Sequence, residues 1–111
     1  MKPRIEKIEF GNIIIDGKKY EGGDLIISWD GVEEVDKTHF ISEERFRYVL
    51  SKKPDAVIIS TGFYDCVKID KKIKEIADNK NIKLFVLPTP EACKKFNELK
   101  TESVAIIHLT C

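Results

Sequence analysis

Apolar and charged residues alternate through IEKIEF (5–10), the two-residue period of a strand with one wet face. NIIIDGKKYEG (12–22) follows, with Asp16-Gly17 between Ile15 and Lys18. Both central residues of a tight type I′ turn need positive φ, so this dipeptide predicts a hairpin that sets Ile13 opposite Tyr20. DLIISW (24–29) reads as a further strand. The period then changes. A helix is predicted from about Ser42 to Ser51, with Ser42 as N-cap, Glu43 and Glu44 at the positive helix end, Ile41 stapled onto Phe46, and Phe46, Val49 and Leu50 as the buried stripe. AVIIS (56–60) is apolar and β-branched, like a strand covered on both faces. Asp70 is placed to cap a second helix with Ile73, Ile76 and Ala77 inward. IKLFVL (82–87) reads as another fully apolar strand. Thr89-Pro90-Glu91 reads as a helix start, with Thr89 as N-cap and Pro90 in the first helical position. Ala92, Phe96 and Leu99 then face the sheet, and SVAIIHL (103–109) is the last strand.

The order is four strands followed by α-β-α-β-α-β. Helix-connected apolar strands imply a largely parallel layer with right-handed crossovers, and the hairpin makes part of the sheet antiparallel. The expectation is an α/β, three-layer domain with a mixed central sheet and an added N-terminal β-hairpin element, built from residues 1–111 as a single domain.

Composition narrows the function classes. The 19 basic residues equal the 19 acidic ones, so no global positive field gathers phosphate backbones and no general nucleic-acid binding is expected. No apolar run approaches the roughly 18–20 residues that span a bilayer, so no membrane partner is expected. Glu6, Lys7 and Glu9 interrupt any apolar leader segment, which makes a cytoplasmic location the expectation. Cys66, Cys93 and Cys111 are odd in number and widely spaced, as for free thiols in a reducing compartment. The absence of glutamine and the abundance of Lys, Glu and Ile lean toward a thermophile, although an AT-rich genome gives the same bias.

FGNIIIDGKKY, then Trp29, His39, IISTG, PTPEACKKFNEL and finally HLTC occur in an order that resembles one known small-domain family. That family includes the adipogenesis-associated domain protein of animals and mitochondrial complex I assembly factor 3. The likeness covers nearly the whole chain. It implies a three-layer fold around a mixed sheet and no established activity, with some members acting as assembly or interaction factors. The matching positions are Trp29, His39, Ser60, Thr61, Gly62, Thr89, Ala92, Asn97, Leu99 and His108. Where many relatives carry a Glu-Gly-Arg run, this chain reads KTES (100–103), so an anion-binding role for that corner does not transfer. Lys100 supplies a charge there but not a bidentate fork.

The candidate chemistry lies at strand ends. Ser60-Thr61-Gly62 and Thr89 follow two apolar strands, at the edge where open α/β sheets bind ligands. Helix N-termini there offer unpaired N–H groups to a small anion or polar ligand. The other reading is structural: Gly62 permits an unusual φ, Ser60 and Thr61 bond local backbone, and Thr89 caps a helix. Asn97 either reaches the pocket rim or satisfies backbone groups of the final strand. His39, in a polar loop, completes the candidate pocket. Catalysis by Ser60, Cys66 or Cys111 needs His39 or His108 nearby with an orienting group, and nothing in the spacing joins them. The cysteines lack close ligand pairs, so no metal is expected, and no cofactor fingerprint is present. Trp29, Phe40, Tyr48 and Phe63-Tyr64 fit the core or an interface, with most expected in the core and an exposed contact near Phe63-Tyr64. Two functions stand: a non-enzymatic interaction or assembly module with a protein partner or as a homo-oligomer, and a small-molecule or anion binder, enzyme included, at Ser60-Thr61-Gly62 and Thr89.

Overall fold

The computed structural model describes residues 2–111. Its centre is a five-stranded mixed sheet. In spatial order the strands are β5 (Gly31–Val35), β4 (Asp24–Ser28), β10 (Ser103–His108), β7 (Ala56–Ser60) and β9 (Lys83–Leu87). The pairs β5/β4 and β4/β10 are antiparallel, while β10/β7 and β7/β9 are parallel. Strands β4, β7 and β10 are buried at every residue, as expected for the interior of a sheet covered on both faces. A small antiparallel sheet of β1 (Ile5–Glu9), β2 (Asn12–Ile15) and β3 (Lys18–Glu21) precedes it, so the added element is a three-stranded sheet containing the predicted hairpin. Ile13 pairs with Tyr20 across that hairpin, and Asp16 and Gly17 take φ of 48° and 81°. A parallel bridge joins β6 (Phe40–Ile41) to β8 (Lys68–Ile69).

Alternation along the strands divides the core in two. Leu25, Ile27, Ile58, Ala105 and Ile107 point to one face, where helix α3 (Thr89–Glu98) and the small sheet bring Ala92, Phe96, Ile5, Ile13 and Ile15. Ile26, Val57, Ile59, Val104 and Ile106 point to the other, where α1 (Glu43–Leu50) brings Phe46 and Val49, and α2 (Lys72–Asn79) brings Ile73, Ile76 and Ala77. The three-layer expectation holds. Ser42 caps α1 as predicted, its Oγ accepting from Arg45 N–H at 3.1 Å. Asp70 accepts from Lys72 N–H at 2.9 Å at the start of α2.

Four local readings differ from expectation. WDGVEEV contributes a further strand, β5, turning back at Asp30-Gly31. IKLFVL is an edge strand whose residues are half-buried or exposed, because nothing pairs with its outer side. Thr89 does not cap α3: its hydroxyl is buried and bonded elsewhere, and Pro88 occupies the cap position. Phe40 and Tyr48, from the aromatic set weighed between core and interface with most expected in the core, are about half exposed.

Asn97 fastens α3 to the small sheet. Its Oδ1 accepts from Ile5 N–H at 3.0 Å, and its Nδ2 donates to Ile5 C=O at 2.8 Å. It therefore satisfies backbone of the first strand, not the last. Asn97→Ala leaves both Ile5 groups unpaired and is expected to cost about 1–3 kcal/mol. Urea unfolding measures the loss, and amide exchange should accelerate first in β1.

Candidate functional site

The predicted strand-end hydroxyls do gather at one end of the sheet, but they serve the chain itself. Ser60 Oγ accepts from His108 N–H at 2.6 Å, and Thr89 Oγ1 donates to His108 C=O at 2.7 Å. The two hydroxyls lie 3.3 Å apart and are fully buried. Thr61 Oγ1 donates to Asp65 at 2.5 Å. The N–H groups of Thr61, Phe63, Tyr64 and Thr89 go to the carbonyls of Leu87, Thr110, Cys111 and Gly62. Gly62 has φ of 94°, and a Cβ there would overlap the Cys111 backbone. Asn97 stands apart on α3, engaged with Ile5.

His39 leads to a second cluster, on the opposite face. Its exposed ring meets the His108 ring edge-on, with centroids 4.9 Å apart. His108 follows Val104 and Ile106 in strand alternation, so its ring turns to the α1 face, away from Ser60 and Thr89. Directly across the ladder stands Asp24, in register with His108. His108 Nδ1 lies 2.8 Å from Asp24 Oδ1, and both side chains are 1% exposed. Asp24 Oδ2 accepts from Thr38 N–H at 3.0 Å and from Arg45 Nη1 at 3.4 Å. His108 Nε2 lies 3.2 Å from Thr110 Oγ1.

Burial pushes the Asp24 carboxyl above its ordinary range, and the Thr38 N–H, His108 and Arg45 pull it back. Donors surround both its oxygens, the environment of an ionised carboxylate. An ionised Asp24 accepts a hydrogen bond from Nδ1–H of His108, which leaves Nε2 as an acceptor for the Thr110 hydroxyl. The cysteines stand outside this cluster. Cys66 is exposed, and burial pushes the Cys93 thiol up to about 12, an inert core group. Among the described residues, no three His, Cys, Asp or Glu side chains are placed to hold a metal ion.

Beside the cluster, on the α1 face, an open cleft of about 630 Å³ runs between α1 and edge strand β5. Its lining includes Ile26, Glu33, Val35, Phe40, Arg45 and Tyr48. Tyr48 O–H donates to Glu33 at 2.7 Å, and the carboxylate holds that phenol above its usual range.

Sequence reasoning singled out His108 but not its partners Asp24, Arg45 and Thr38. The available signal was an acidic residue heading the otherwise apolar DLIIS, a position that is buried only if the ladder supplies a partner.

The family pattern described as a protein of unknown function matches residues 5–109. The chain belongs to the DUF498/DUF598 family. Solved structures agree with the placement of this DUF498/DUF598 domain. A conserved hypothetical protein of Pyrococcus horikoshii OT3 is 28% identical, with a TM-score of 0.86 over 97% of this chain and 99% of that one. A protein called MT938 is 26% identical, with a TM-score of 0.82 over 98% and 99%. An outer membrane protein from Bartonella henselae shares the fold at 18% identity, with a TM-score of 0.84 over 99% and 97%. No curated protein matches the chain. Among the described residues of the DUF498/DUF598 domain, no helix is long and apolar enough to cross a membrane.

Asp24→Ala strips the partner from the His108 ring, the Thr38 N–H and Arg45 together. It is expected to destabilise the domain by about 1–3 kcal/mol, the usual cost of leaving buried donors unpaired. Denaturant unfolding near neutral pH reads the effect.

Proposed function

We propose that this DUF498/DUF598 domain is an interaction or assembly module that receives an amphipathic, basic helix of a protein partner in the cleft between α1 and β5. The observation that carries this reading is the cleft itself. It opens on the α1 face between α1 and β5, and Ile26, Val35, Phe40 and Tyr48 are among its lining residues. Phe40 and Tyr48 are 49% and 46% exposed, as apolar surface that awaits a cover. A helix laid there continues the layer and buries the aromatics, the helix-in-groove mode of recognition.

Charge selects the kind of helix. Glu33 and Glu44 line the cleft, while Arg45 turns its charge to Asp24. The free charge is negative, which favours Lys or Arg on the incoming face. The resemblance to a family that includes complex I assembly factor 3 supports the same reading, and three free thiols suit a cytoplasmic module. An anion held at Ser60-Thr61-Gly62 and Thr89 is the weaker reading, since the donors there serve the chain's own carbonyls.

NMR titration of the labelled domain tests the proposal with two helical peptides of one apolar pattern, one basic and one acidic. The basic peptide is expected to shift the resonances of Glu33, Val35, Phe40 and Tyr48, and Glu33→Gln with Glu44→Gln should weaken it about tenfold. Self-association through the cleft would move the same resonances on concentration alone. Equal response to both peptides, or shifts confined to other surfaces, would contradict a basic partner.

A further inference from the structure

The groups around His108 form a chain of polar side chains that the cleft does not include. Thr110 Oγ1, His108 Nε2, His108 Nδ1 and Asp24 Oδ1 lie in sequence, with separations of 3.2 Å and 2.8 Å at its two hydrogen bonds. Thr110 is two residues beyond His108 on the same run of chain, so both side chains project to one side. The order is hydroxyl, imidazole, carboxylate: a nucleophile, a base within reach of its proton, and a group that orients the base.

Each member is held. The His108 backbone is fixed by Ser60 and Thr89, and its ring by Asp24. Asp24 is fixed from its other oxygen by the Thr38 N–H and Arg45. His108 and Asp24 are closed to solvent, whereas Thr110 keeps part of its surface open. The orienting pair is thus dry, and the residue that bears the hydroxyl is partly open.

A second feature lies at the same end of the molecule. Phe10, Phe63 and Tyr64 cluster there, with ring centroids 5.5 Å and 5.8 Å from Phe10. Phe63 N–H donates to Thr110 C=O at 2.8 Å, and the Gly11 N–H donates to Leu109 C=O at 2.7 Å, so both aromatic turns border Thr110. Phe10 is 51% and Tyr64 73% exposed. This patch is exposed apolar surface on the two turns whose amides bond the backbone of residues 109 and 110.

We propose that Thr110 is a nucleophilic side chain that accepts an acyl group from an apolar activated ester or thioester, with His108 as its general base and Asp24 as the positioning residue. In the step, a bond forms between Thr110 Oγ and the acyl carbon, and the bond from that carbon to the leaving oxygen or sulfur breaks. The hydroxyl proton passes to His108 Nε2 and from there to the leaving group. The products are an O-acyl threonine and a free alcohol or thiol. This inference is independent of the proposed helix cleft, which does not include Thr110.

An aryl fluorophosphonate replaces the acyl donor as probe, because it labels activated hydroxyls in preference to free thiols and amines. The Oγ–phosphorus bond forms, fluoride leaves, and the proton goes to His108. Intact mass and peptide mapping of the full chain should show one adduct, on Thr110. Its rate should fall as the pH is lowered, as general-base catalysis requires. Thr110→Val should abolish it and Thr110→Ser restore it. His108→Gln should slow it about a hundredfold, the usual contribution of a general base. Asp24→Asn keeps the side-chain shape, and it should lower the rate and alter the pH profile in chains whose folding is verified by NMR. No adduct on Thr110 in the folded wild-type chain would overturn the proposal. So would labelling of Thr110 at a rate insensitive to pH and unchanged in folded Asp24→Asn.

Discussion

The hydrogen bond between His108 and Asp24 ends the central strand of the sheet, and much else hangs from it. β10 is buried throughout and lies between an antiparallel neighbour and a parallel one. Its last residue carries a polar ring into an interior that penalises unpaired polar atoms. Asp24, opposite in register, meets that ring and also gathers the Thr38 N–H and the Arg45 guanidinium. One carboxylate thus joins β4, β10, the loop before β6 and the first turn of α1. Taking the carboxylate out of water is costly, and only this many donors offset the cost. The rise in its pKa is the residue of that balance: folding binds the Asp24 proton more tightly than the unfolded chain does, so this group's contribution to stability declines as pH climbs from the ordinary aspartate range through its folded value.

The two-residue period of a strand separates the polar groups at this end of the sheet into two systems. Ser60 shares its side with Ile58, and Thr89 comes from α3 on that side, so both reach the backbone of His108 and not its ring. Asp24 and His108 share the side of Ile26 and Ile106, where α1 lies. Adjacent residues on one sheet end therefore have different work: the hydroxyls of one face lock the strand, and the acid and imidazole of the other bond each other and reach Thr38, Arg45 and Thr110. The chain segment 109–111 crosses the strand ends and takes up the amides of Phe63 and Tyr64.

Local signals in the sequence were legible where they depended on near neighbours. Asp16-Gly17 specified its turn and register, Ser42 its cap, and the β-branched AVIIS its burial on both faces. Other positions were decided by distant partners. IKLFVL has the hydrophobicity of an interior strand but lies at the edge, because strand order is not written in any one strand. GVEEV carries two carboxylates that mask its strand period, though Asp30-Gly31 repeats the hairpin signal found at 16–17. Thr89-Pro90-Glu91 has the composition of a cap, yet the tertiary acceptor at His108 C=O took the hydroxyl. The Asp24–His108 pair joins residues 84 positions apart and needs the antiparallel β4/β10 register before it exists. The cleft was hidden for the same reason: it exists only once α1 and β5, distant in sequence, are brought together.

The account rests on the protonation pattern of one ring. Long-range proton–nitrogen NMR of the His108 imidazole near neutral pH reports it directly. An Nδ1–H tautomer with an unprotonated, hydrogen-bond-accepting Nε2 is the predicted result, together with a strongly deshielded Nδ1 proton from the bond to Asp24. An Nε2–H tautomer, or rapid exchange between tautomers as in a free histidine, would contradict it.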